Sequence, residues 1–170
     1  MSPIAITITG TTPLLCGRPV PDSAADGTDP AAQAAERLYR DTAGEPVIPG
    51  LNLFRCLTRA SRACGRCPVE LVHSLGIAER DIRIQSQRPW TVDTRWVRHP
   101  ETGLRQRCHR PRFEDWRLDA TLLVDRDAIT PAEIRHLVEV AGMQVGLGDF
   151  RPDRGGPFGR FTISAWEPLS

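Results

Sequence analysis

A chain of 170 residues has room for one domain with its own core, but not for a second of ordinary size. Hydrophobic residues at 40% and charged residues at 25% exclude a disordered polyelectrolyte, and a formal net charge of +1 excludes a global field strong enough to gather nucleic acid. All 22 basic residues are arginine, which suits bidentate phosphate contacts and stacking, although genomic base composition produces the same bias. No stretch approaches the roughly 20 apolar residues that span a bilayer, and the first ten residues lack the features of a secretory signal. A cytoplasmic protein with no membrane partner is therefore expected. Five cysteines, an odd number, suit reduced thiols or metal ligands better than a fully paired disulfide framework.

Residues 4–9 alternate branched apolar and small polar side chains before Gly10, the pattern of a half-buried strand. Residues 21–29 place Asp, Ser, Ala and Gly between prolines and read as a loop, and the alanines of 31–39 favour a short helix. Residues 45–50 read as a turn, since each proline pushes its predecessor out of the α region. From Leu51 the spacing of Leu53, Phe54, Leu57, Ala60 and Ala63 predicts a helix, with Asn52 as N-cap and Arg55, Arg59 and Arg62 on a second face. Residues 64–68 end it, and the short apolar run 69–75 fits no single class.

Residues 82–96 read as strand with an extended excursion, and 100–103 as a hairpin turn between 95–98 and 104–107. Trp116, Leu118, Ala120, Leu122 and Val124 form the cleanest period-2 strand. Thr130-Pro131-Ala132-Glu133 is the signature of a helix start, with Gly142 as the expected stop, and 160–166 is the last strand. The order strand, helix, strand, strand, helix, strand predicts a single α+β, ferredoxin-like (RRM-like) domain over 1–170, with a basic β-hairpin inserted at 80–117 and a C-terminal glycine-rich loop.

That loop, within residues 145–161, holds five glycines and three arginines. Glycine leaves no Cβ between backbone amides and an approaching phosphate, and Arg151, Arg154 or Arg160 would neutralise its charge beside Gly155, Gly156 and Gly159. The spacing is neither the dinucleotide nor the triphosphate fingerprint. The competing reading is a tight connection whose glycines permit close packing of helix on sheet, or a face set against a neighbouring protein.

The segment resembles the C-terminal glycine-rich loop of the RAMP superfamily, the RRM-like proteins of CRISPR effector complexes in antiviral defence, above all the backbone subunits that coat guide RNA. Leu14-Leu15-Cys16-Gly17, after the first strand, and Pro46-Val47-Ile48-Pro49-Gly50-Leu51-Asn52-Leu53-Phe54-Arg55, before the first helix, resemble that family's post-strand glycine and its proline-glycine lead into the helix. Where the family has small hydroxyl residues and a lysine, this chain has Leu51, Asn52, Leu53 and Phe54, so a guide contact made through that lysine does not carry over. The resemblance implies an RNA-binding, self-associating subunit of a ribonucleoprotein effector complex. Such a subunit would be expected to hold guide or target RNA and to pack against copies of itself and other subunits. A diverged bacteriophage or mobile-element relative is the second form of the resemblance.

Between Arg80 and Arg117 ten arginines face five acids, a local charge of +5, with Trp90, Trp96, Phe113 and Trp116 among them. Such a mixture can hold a single strand through phosphate contacts and base stacking worth about 1–3 kcal/mol per base. Arg95, Arg105, Arg107, Arg110 and Arg112 are the candidate hairpin contacts, Arg55 the helical one, and Trp90 and Trp96 the stacking candidates. The alternative is a hairpin whose arginines mark its wet face and whose Trp116 is core. By resemblance the insertion corresponds to the family's thumb, which separates guide from target.

Cys64-x-x-Cys67 has the spacing of half a tetrahedral zinc site, with Cys108, His109, His73 and Cys56 as candidates for the other half, Cys108 and His73 preferred, and one structural Zn²⁺ as the expected ion. The alternative is a turn closed by two thiols. No hydrolase elbow, zinc-protease helix or paired-carboxylate constellation is present, and His99 and His109 lack evident partners for acid–base work. The sequence therefore reads as a binding protein. In target-cutting RAMP subunits an aspartate in the loop after the first strand carries the activity. Such a metal-dependent endoribonuclease role would fall here on Asp26, among Asp22, Asp26 and Asp29. A protein-interaction module of a phage or plasmid and a single-stranded DNA-binding protein are the alternative functions.

Overall fold

The computed structural model describes residues 1–20, 29–99 and 101–168. Its frame is a four-stranded antiparallel sheet of β1 (Ser2–Gly10), β5 (Leu75–Ile77), β9 (Arg117–Val124) and β10 (Phe161–Pro168), in the spatial order β10-β1-β9-β5. With α2 (Gly50–Ala60) lying between β1 and β5 in sequence, and α4 (Pro131–Val140) between β9 and β10, this is the order of a ferredoxin-like α+β fold. Ile4, Ile6 and Ile8 of β1 alternate into the core with Leu118, Ala120, Leu122 and Val124 of β9, while Leu53, Leu57, Ile134, Leu137 and Val138 seal the same face from the two helices.

The α4 start forms as its residues dictate. Thr130 Oγ1 accepts from the Glu133 amide, and the Glu133 carboxylate accepts from the Thr130 amide at 2.8 Å. The helix does not stop at Gly142. A π-helical turn, Ala141–Val145, continues it to Gly146, because Gly142 lies where a Cβ would stand 2.1 Å from the carbonyl oxygen of Phe161 and is needed for close approach, not termination.

Two smaller sheets flank the frame. One joins β3 (Tyr39–Arg40), β4 (Pro46–Pro49) and β6 (Asp81–Arg83), so residues expected to turn at 46–49 are a strand, paired with β3 just upstream and with β6 far along the chain. Helix α2 then begins at Gly50 with Pro49 as its cap, and Asn52 lies inside it. Gly50 sits so close to the 79–80 backbone that a Cβ would stand 2.0 Å from the Glu79 carbonyl oxygen. The other sheet is the predicted hairpin, β7 (Thr91–Arg98) and β8 (Arg105–Phe113), edged by β2 (Leu14–Leu15). Its root packs on α1 (Pro30–Glu36), which Asp29 caps by accepting from the Ala32 amide. A short helix, α3 (Pro68–Ser74), occupies the run left unclassified from sequence. Asp22 and Asp26 lie outside the described residues. No helix of the described residues is long and apolar enough to cross a membrane.

Candidate nucleic-acid interface

Three segments far apart in sequence meet around one cavity of about 290 Å³. Cys16 and Gly17 follow β2; Ile48, Asn52, Arg55, Cys56 and Arg59 come from β4 and α2; Gly146 to Asp149, Arg151 and Arg154 come from the glycine-rich loop. The spacing of 52, 55, 56 and 59 puts those four side chains on one stripe of α2. Cys56 fastens loop to helix, its thiol donating to the Gly146 carbonyl at 3.3 Å. Burial pushes that thiol, like Cys16, up to about 12, so both are inert packing groups and not nucleophiles.

Close approach of the loop to β2 depends on absent side chains. Gly148, at φ +74°, would place a Cβ 2.3 Å from the Leu15 carbonyl oxygen, which accepts from the Asp149 amide at 2.8 Å. The glycines nearer the C-terminus serve the loop itself. A Cβ on Gly156 or Gly159 would stand 1.8 Å from the carbonyl oxygens of Phe150 and Leu147, respectively, whereas Gly155 faces open space. The uncovered backbone thus lies at Gly155 and along the cavity wall, and Gly156 and Gly159 are covered by their own loop.

Four arginines line the cavity. Arg59 and Arg151 share Asp153, the latter at 3.3 Å, and Arg151 also donates to the Gly148 carbonyl at 2.8 Å. Arg55 and Arg154 are exposed and have no acidic partner among the described residues. Arg59, Asn52 and Tyr39 belong to the cavity but were not singled out from sequence; the signal for Arg59 was its place on the same helical face as Arg55. Arg160 is exposed beside the loop, its amide donating to Thr12 Oγ1 at 2.9 Å.

The hairpin arginines divide into two groups. Arg110 is buried, its Nε 2.5 Å from Asp149, and its Nη1 has no hydrogen-bond partner. Arg95 clasps Asp93 at 2.6 and 3.1 Å, and Arg112 reaches Asp93 at 3.6 Å. Arg105 and Arg107 are exposed, with guanidinium carbons 5.7 and 5.3 Å from the ring centre of Trp96, which is itself 58% exposed. Trp90 is half-buried against the core, and Trp116 is buried, its Nε1 donating to the Thr12 carbonyl at 2.8 Å. His109 pairs with Thr94 at 2.8 Å and His99 accepts from the amides of the hairpin turn, so both histidines serve the hairpin.

Cys64 and Cys67 flank the short turn before α3, His73 is exposed on α3, and Cys108 is buried in β8. Among the described residues no three His, Cys, Asp or Glu side chains gather where they could hold a metal ion. The outer face of the main sheet also differs from an RRM platform. Bases stack there on aromatic side chains, but this face presents Ala5, Thr7, Thr121 and Ala165 with Glu79, Asp119, Glu167 and Arg117.

No family model and no curated protein matches the sequence. Among solved structures, the fold is similar to a chain of the type III-B Cmr-beta complex bound to cognate target RNA, with TM-score 0.65 and 13% identity over 99% of this chain. The present chain spans 61% of the length of that one. Cmr6 from Pyrococcus furiosus is similar with TM-score 0.52 and 14% identity, over 94% of this chain and 97% of Cmr6. At these identities the likeness is one of fold. The chain has an α+β, ferredoxin-like fold similar to that of these two Cmr structures.

Proposed function

We propose that this protein is an RNA-binding subunit of a ribonucleoprotein effector complex, gripping the backbone of a single strand in the cavity between α2 and the glycine-rich loop. The observation that carries this reading is the convergence of three distant segments on one cationic cavity in which Arg55 and Arg154 have no acidic partner among the described residues. Unpaired guanidinium groups beside uncovered backbone suit phosphate, whose charge they cancel and whose oxygens they bind in pairs. The exposed Trp96 between Arg105 and Arg107 supplies a second, stacking contact on the hairpin. The outer face of the sheet, where Glu79, Asp119 and Glu167 stand with Arg117, suits a phosphate chain less well. Packing against copies of itself or other effector subunits follows from the same reading.

The test is binding of a short single-stranded RNA to Arg55→Ala/Arg154→Ala across a salt series. Loss of two phosphate contacts flattens the log–log salt slope by about 1.4. It also weakens binding by about 1.5 kcal/mol per contact. An unchanged slope removes the cavity from the RNA path. Tighter binding of DNA of the same sequence would turn the reading to single-stranded DNA.

A further inference from the structure

Phe150 stands apart from the other aromatic residues of the chain. It is the one non-glycine residue with positive φ (52°) among the described residues, in a region that bulky side chains avoid. Four features hold it there. Its amide donates to Asp149 Oδ1 at 3.0 Å, its carbonyl accepts from the Phe158 amide at 3.2 Å, and Gly156 leaves room for that carbonyl where a Cβ would stand 1.8 Å away. The fourth is Arg95, fixed by Asp93, with its guanidinium carbon 5.9 Å from the Phe150 ring centre. The result is unusual for an apolar ring. Phe158, eight positions on, lies beneath the same guanidinium at 4.8 Å and is buried, whereas Phe150 remains 37% exposed. Its chain neighbours Asp149 and Arg151 both line the cationic cavity, so the Phe150 backbone runs along the cavity wall while its ring leans toward Arg95 of the hairpin.

We infer that Phe150 is a base-stacking residue, taking the nucleobase of the nucleotide whose phosphate lies in the cavity. This rests on the proposed reading of that cavity and adds to it a contact with the base. Every base has a π face, so the contact does not select sequence. The strained backbone fixes the ring before the strand arrives, which lowers the ordering cost of binding.

The experiment compares a short oligouridylate with an abasic ribose-phosphate oligomer of equal length. Phe150→Leu is expected to weaken oligouridylate binding about tenfold while leaving abasic binding and both salt slopes unchanged. Phe150→Tyr is expected to restore it. Unchanged oligouridylate binding by Phe150→Leu, or equal weakening for both oligomers, overturns the stacking role while leaving the phosphate cavity standing. Wild-type protein that binds neither oligomer overturns both. Photocrosslinking of wild-type protein to a 4-thiouridine oligomer provides a readout that does not depend on the variants folding. An adduct on Phe150 supports the inference, and adducts confined to other residues overturn it.

Discussion

The root and the tip of the β7–β8 hairpin are both rich in arginine and use it in opposite ways. At the root, Arg110 is buried against Asp149 of the glycine-rich loop, and the half-exposed Arg95, held by buried Asp93 of its own strand, lies over Phe158 of that loop. At the tip, Arg105 and Arg107 have no acidic partner among the described residues and stand over an exposed Trp96. A local excess of basic residues therefore overstates the charge that a ligand meets. What decides is whether the fold brings an acid to each guanidinium, and the acids at the root come partly from outside the hairpin.

The sharpest way to break this comparison is to remove the acid at the root. Asp149→Ala leaves the Arg110 guanidinium, its side chain only 10% exposed and its Nη1 already without a partner, buried with an uncompensated charge. The expected loss is about 3 kcal/mol in urea unfolding. Arg110→Ala should cost less, because the Asp149 side chain it abandons is 37% exposed and can be hydrated. Equal stability of Asp149→Ala and wild type would show that the root pair does not hold the loop.

At the tip the order of effects reverses. Trp96→Ala removes a side chain that the core does not use, so unfolding should change by no more than about 0.5 kcal/mol. Under the proposed function the same substitution weakens single-stranded RNA binding by about 1–3 kcal/mol, the range for a lost stacking contact. A Trp96 variant that loses stability but keeps RNA affinity would place the tip with the root.

Local chemistry made much of the fold legible. The alternation in β1 and β9, the helical spacing of α2, the Thr130–Glu133 capping box and the hairpin turn each depend on neighbours within a few residues. Pro46–Pro49 was misread as a turn because the pairing that extends it over four residues is with β6, more than thirty positions on, which no local pattern displays. Asn52 was misread as a cap, and Gly142 as a stop, because the backbones that crowd Gly50 and Gly142 belong to residues 79 and 161. The three motifs around the cavity were legible one by one. Their meeting was not, nor was the internal pairing of Arg110 with Asp149, nor the strained Phe150, which has no sequence signature.

The smallest expected effect concerns Asp153, which ties down Arg59 and Arg151 on the cavity wall. Burial raises its carboxyl, but hydrogen bonds and charge from Arg59 and Arg151 outweigh this and hold it below the ordinary 3.8. A depressed carboxylate contributes its stability in full above the unfolded value of 3.8 and loses it as pH falls through the lowered folded value. Asp153→Asn should therefore be less stable than wild type at neutral pH, with the gap closing in acid below 3.8. The same substitution frees one positive charge on the wall, so RNA binding at neutral pH should tighten, and its salt slope should steepen by about 0.7 per phosphate gained. A variant with the stability change but an unaltered slope would show that Arg59 and Arg151 support the wall without facing the strand, leaving Arg55 and Arg154 as the cavity's only phosphate contacts.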